Sequence, residues 1–230
     1  MAISAVVDKI RSKGYWDVAI RPLPYVESRV DYAKLDELLV SAAVRLRGWP
    51  VPYVDFRDEL LRGDDWIGQD IDAAMVDHFE AWRFFTSGQF NQLRGVSADW
   101  RTGSEAPSMP AGFDRVIEVW EILFYLTEVF ELAARLALGP AGDERMAIDV
   151  ALHGLADRGL IVGQRNRARF LEPYRAAANT LQRTVTVARE ELVSASREQA
   201  VTMAREFFLR FGWKPTTELL SEHQQELERP

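Results

Sequence analysis

A chain of 230 residues that is 47% hydrophobic, with seven tryptophans and twelve phenylalanines, carries enough apolar surface for a sizeable core and is not a disordered segment. Its 28 basic and 35 acidic side chains leave a net charge of −7, which argues against a general polyanion binder while permitting a local basic site. It contains no cysteine, so disulfides, thiolate nucleophiles, thiolate zinc sites and iron–sulfur clusters are excluded together.

The opening "MAISAVVDKIRSKG" has too short an apolar run for a secretory signal, and its charges follow that run instead of preceding it. The longest apolar stretch, 113–138, is broken by Asp114, Arg115, Glu118, Glu121, Glu128, Glu131 and Arg135, too many charges for a bilayer span. These features predict a cytoplasmic protein that does not enter a membrane.

In chain order, "YWDVAIR" alternates Trp16, Val18 and Ile20 against Asp17, Ala19 and Arg21 and predicts a strand stopped by "PLP". "DYAKLDELLV", with leucines at 35, 38 and 39, predicts a short helix. "VRLRGWPVPYVD", 44–55, places Arg45, Arg47 and Trp49 opposite Val44, Leu46 and Gly48, as a half-buried strand would. "WIGQDID" reads as a third strand. Over 71–96 a helical stripe through Ile71, Met75, His78, Phe79 and Trp82 competes with a hairpin broken at Ser87-Gly88; aromatic density favours the hairpin, with Arg83 on the face of Phe79, Ala81 and Phe85.

Residues 101–112, "RTGSEAPSMPAG", form a linker or long loop, and composition changes after it. Residues 113–138 predict a long core helix with a narrow polar stripe of Asp114, Glu118, Glu121, Glu128, Glu131 and Arg135, ended by "GPAG". A second helix over 144–156 follows, then short strands at "RGLIVG" and "TLQRTVTV" around an irregular basic segment. The tail predicts helices over 190–194, 198–211 and 216 to about 228, with Thr216 or Thr217 as the last N-cap.

"YWDVAIRP", "VRLRGWPVPYVD", "WRFFTSGQF" and "SREQAVTMAREFFLRFGW" together resemble an uncharacterised bacterial protein family, over nearly the whole chain. Members of that family are stand-alone proteins of this size or regions fused behind Schlafen-like AlbA-type domains, themselves held to bind nucleic acid or ATP. The resemblance implies a module working beside nucleic-acid or defence machinery and supplies no catalytic residues. The chain contains no Schlafen-like segment, so any such activity would belong to a partner.

Motifs for chemistry are sparse. His78, His153 and His223 lie far apart, outside any H-E-x-x-H pattern. "GDDW" (Asp64, Asp65), with Asp70, Asp72 and Asp77, has the carboxylate density of a magnesium site, but such acids are more often a solvated edge that blocks sheet aggregation, and no metal is expected. "GLIVGQRNR" lacks the lysine and hydroxyl of a phosphate loop, and "FTSGQ" is a turn, not a serine elbow.

The sharpest anomaly lies in 158–183, where Arg158, Arg165, Arg167, Arg169, Arg175 and Arg183 face the single acid Glu172 in an acidic protein. Arginine forks suit phosphate, and Phe170 and Tyr174 offer stacking surfaces. The competing reading is that these arginines pair with the acidic stripe of the long helix or cap helix ends. Arg45 and Arg47 face the same choice between a ligand and acids on a neighbouring strand.

The sequence therefore predicts an α+β fold: a mostly antiparallel sheet in 1–106 packed against a helical half, 107–230, as one compact unit. The expected function is a non-enzymatic binding module, a sensor or adaptor acting with a partner protein or as a homo-oligomer, in bacterial regulation or anti-phage defence. It needs no cofactor, and no reactive residue set favours an enzyme. The alternative is nucleic-acid or nucleotide binding or processing through the arginine segment. The candidate anion-binding residues are Arg165, Arg167, Arg169, Arg45 and Arg47.

Overall fold

Alternating burial sets the first strand. In the computed structural model, which describes residues 4–163, 170–172 and 174–228, β1 (Tyr15–Leu23) buries Trp16, Val18, Ile20 and Pro22 on one face. A short helix, α1 (Ala5–Arg11), precedes it, capped by the Ser4 hydroxyl accepting from Val7 N–H. After α2 (Leu35–Ala42) come β2 (Leu61–Arg62), β3 (Trp66–Ala73), β4 (His78–Phe85) and β5 (Phe90–Gly95). The 71–96 stretch is thus a hairpin, β4 against β5, with Gly88 at a φ of +83° in its turn.

The second half supplies β6 (Val116–Glu118), α3 (Val119–Leu138), β7 (Arg145–His153), β8 (Gly159–Ile161), β9 (Tyr174–Arg175), β10 (Thr180–Ala188), α4 (Arg189–Arg210) and α5 (Thr217–Gln224). The fold is α+β: a seven-stranded sheet ordered β10-β7-β1-β5-β4-β3-β2, antiparallel at every neighbour, packs against the helices of the C-terminal half. A second, three-stranded sheet is ordered β6-β8-β9.

The large sheet's core face meets α3 and α4, and Trp16 touches both, 5.0 Å from the Tyr125 ring and 5.9 Å from the Phe207 ring. On the opposite face α1 covers only the β3–β5 side, where Ile10 packs on Phe79 and Ala81. A single apolar cluster runs from Trp16 to Leu227 and joins both halves of the chain. Among the described residues no helix is long and apolar enough to cross a membrane.

Four expectations are corrected. Residues 44–55 form no strand: one bridge joins Val44 to Val51, because Gly48 turns at a φ of +87° and Pro50 and Pro52 supply no ladder donors. Residues 144–156 are not a helix but β7, which buries Met146, Ile148, Val150 and Leu152 on one face and fills the slot between β1 and β10. The long helix starts at Val119, since Val116–Glu118 first pair in parallel with β8. The two tail helices expected at 190–194 and 198–211 are one helix, kinked where Ala195 takes φ −137° and ψ 30°.

The proline stop of β1 is passed as well. Arg189 N–H donates to Glu144 O in the β10–β7 register, so by alternation the even-numbered residues of β7 bond β10 and the odd ones bond β1. Pro22 faces Met146, an unbonded pair, so its missing N–H points toward the β5 side, where pairing ends at Ile20.

Candidate functional site

The flagged arginines separate. Arg45 is exposed, whereas Arg47 turns inward and its guanidinium takes both oxygens of Glu128 on α3, a buried carboxylate. Arg165, Arg167 and Arg169 lie outside the described residues. The other arginines of that segment are paired: Arg158 with Asp99 at 2.7 Å, Arg175 with Asp157 at 2.9 Å and Arg183 with Glu206 at 2.6 Å. The acidic stripe of the long helix does pair with arginines, and among the described residues these lie outside 158–183: Arg101 holds Glu118 and Arg197 holds Glu131.

The acids of 64–77 are dispersed. Asp70 lies against Arg83 and Asp72 against Lys9, and among the described residues no group of three or more acids or histidines is placed to hold a metal ion.

A groove of about 660 Å³ opens between the 101–110 loop and the end of β8 with Phe170 and Leu171. Its size falls in the range of small-ligand sites. Pro107, Met109, Ile161 and Phe170 supply its apolar walls, while Arg101, Glu105 and Glu118 supply charge and make its lining at least as polar as apolar. Gly163 is required here: at a φ of +84°, a Cβ on it would stand 2.5 Å from Glu118 Cγ. Burial raises the Glu118 carboxyl above the usual carboxylate range, and the adjoining Arg101 guanidinium offsets part of that shift. Arg101 Nε is buried without a hydrogen-bond partner among the described residues.

From the groove a polar track crosses the core. The Trp120 ring lies 5.9 Å from both the Arg101 and the Arg47 guanidinium. Arg94 approaches Glu128 at 3.8 Å and sits over the Tyr125 ring at 4.9 Å. Tyr125 O–H donates to Gln92 at 2.8 Å, and Gln92 donates to Glu80 at 2.7 Å. Burial raises the Tyr125 phenol, which keeps it a donor. Glu80 ends beside His78 Nε2 at 2.8 Å, and Trp49 stacks on that imidazole.

Each buried carboxylate of this track already has partners, so its chemistry is anchoring. Tyr53 N–H donates to Glu80 and Trp82 Nε1–H to the Tyr53 carbonyl, which fastens the irregular 44–58 segment over the sheet.

Sequence reasoning missed Glu80, Gln92, Arg94, Arg101 and Tyr125. A signal existed for two of them, because Glu80 stands in phase with Trp82 and Phe84, and Gln92 with Phe90, positions that alternation assigns to the core. A polar residue there needs a buried partner. No protein-family model matches the chain, and neither a curated protein nor a solved structure does.

Proposed function

We propose that the chain is a binding module, a sensor or adaptor subunit that holds a partner protein through the groove beside Arg101 and Glu118. The observation that carries this reading is the groove's composition: Met109 and Leu171, both exposed, line a concavity that also holds the Arg101–Glu118 pair and Glu105. Exposed apolar side chains beside fixed charges in one concave site mark a recognition surface, the apolar groups for affinity and the charges for orientation. The partner's contribution is an apolar side chain set between Pro107 and Phe170. The resemblance noted above fits such a role beside nucleic-acid or defence machinery.

Leu171→Asp tests it, since Leu171 is fully exposed and the change leaves the core intact. Tagged wild type and variant are retrieved from the native host, with and without nuclease, and retained proteins are identified by mass spectrometry. A protein retained by the wild type after nuclease and lost by Leu171→Asp supports the reading; identical retention by both removes the groove from recognition.

Nucleic-acid binding is the second reading, favoured by one observation: Gly163 and Phe170, the described residues on either side of Arg165, Arg167 and Arg169 in the sequence, both line the groove. It expects nucleic acid to co-purify, and alanine at Arg165, Arg167 and Arg169 to weaken polyanion binding and flatten its salt dependence.

A further inference from the structure

The large sheet ends at β2 on one side and β10 on the other. β2 has two residues, but β10 has nine, with no proline and Arg183 as its only charge. Sheet edges of that length are normally blunted by charge, proline or a bulge, because their unpaired backbone groups accept another strand.

The bonding phase of this edge is fixed. Because Arg189 N–H bonds Glu144 O at 2.8 Å, Val187, Val185, Arg183 and Leu181 turn their backbone groups toward β7. Thr180, Gln182, Thr184, Thr186 and Ala188 turn theirs outward, and these are the exposed residues of the strand. A second contact agrees: Arg183 Nη1 donates to the Gln182 carbonyl at 2.8 Å, an oxygen on the open side. Among the described residues no backbone group outside the strand bonds these outward amides and carbonyls.

We infer that a second copy of this chain adds to this edge, β10 against β10 in antiparallel fashion, about a two-fold axis beside Thr184. Thr184 is the midpoint of the strand, so this register uses its full length. It also belongs to the outward phase, so every facing pair of outward residues is a bonded one: Thr184 with its equivalent, Gln182 with Thr186, Thr180 with Ala188. On the core face Leu181 meets Val187 and Arg183 meets Val185, so no like charges oppose. A register centred on Arg183 would set that guanidinium against its twin. In the favoured register Arg183 keeps Glu206 at 2.6 Å and gives up only its bond to Gln182 O. The edge is therefore complementary to itself in length, bonding phase and charge, which an isologous interface requires and no other strand need supply.

The test uses the full chain in analytical ultracentrifugation over a concentration series. The wild type is expected to be a dimer and Thr184→Pro a monomer. Proline removes no ladder bond within one chain, because the Thr184 N–H faces away from β7, but it deletes the central donor between copies. Because the chain has no cysteine, Thr184→Cys reads the register directly. Bonded antiparallel pairs hold Cα atoms about 5.5 Å apart, within disulfide reach. Thr184→Cys is expected to oxidise to a covalent dimer while Gln182→Cys, facing Thr186, does not. A wild type that stays monomeric, higher polymers instead of a closed dimer, a Thr184→Pro variant that still dimerises, or equal cross-linking at both positions overturns the inference. If the proline variant fails to fold, the two cysteine variants decide.

Discussion

Arg158 shows how this chain treats a charge that it buries completely. Its side chain is 0% exposed, and its fork reaches both Asp99 oxygens at 2.7 Å, the Val116 carbonyl at 2.7 Å and the Gly154 carbonyl at 3.1 Å. Those bonds tie β6, the end of β7 and the 97–99 turn together, and Gly14 lies so close that a Cβ there would stand 2.4 Å from Arg158 Nη2. Arg158→Met would leave the Asp99 carboxylate buried without its cation, still accepting from Gly14 N–H, at a cost of about 3–5 kcal/mol, read as a fall in the urea midpoint. Adding Asp99→Asn should recover part of that loss, because neither charge is then stranded. A double variant no more stable than Arg158→Met would assign the loss to the carbonyl contacts instead. Arginine excess was legible in the sequence at this position; the partner, Asp99, was not, since nothing local joins residues 59 apart in the chain.

Elements were legible where the local pattern and the tertiary slot agree. β1 alternates with period two, and aromatic density with the Ser87-Gly88 break marks the β4–β5 hairpin, so these sequences describe their elements. "ERMAIDVALHGLA" misled because methionine, alanine and leucine are good helix formers and Met146, Val150 and His153 also fit a helical face. The deciding fact was the open position between β1 and β10, which no window of sequence contains. Residues 44–55 erred the other way: the alternation is real, but the turn at Gly48 sends Arg47 across to Glu128, 81 residues away. The last helix was legible to its cap, since the Thr216 hydroxyl accepts from Leu219 N–H at 3.2 Å. Thr216→Ala should therefore cost about 1 kcal/mol in chemical denaturation. A loss near zero would mean that water replaces the hydroxyl at that helix end.

At the scale of the molecule, the composition break at 101–112 does not divide the core. β7 pairs with β1 along all nine of its residues, and α3 covers the face that carries Trp16, Val18, Ile20, Trp82 and Phe84. A fragment ending at residue 105 loses both, and would present those side chains to water on a sheet lacking its central neighbour. It should show no cooperative transition on heating and no tertiary tryptophan signal in near-ultraviolet circular dichroism. The same cut in the assembled protein is a different matter. Residues 102–106 are exposed, and among the described residues their backbone bonds are local turns, so separating Glu105 from Ala106 breaks only local backbone bonding there. Co-expressed halves, 1–105 and 106–230, should therefore co-purify and melt in one transition below that of the intact chain, because joining two pieces carries an association cost that the loop removes. A cooperative melt of the first half alone would establish two independent domains. Co-purifying halves would show that this sheet and its helices form one folding unit across the cut loop.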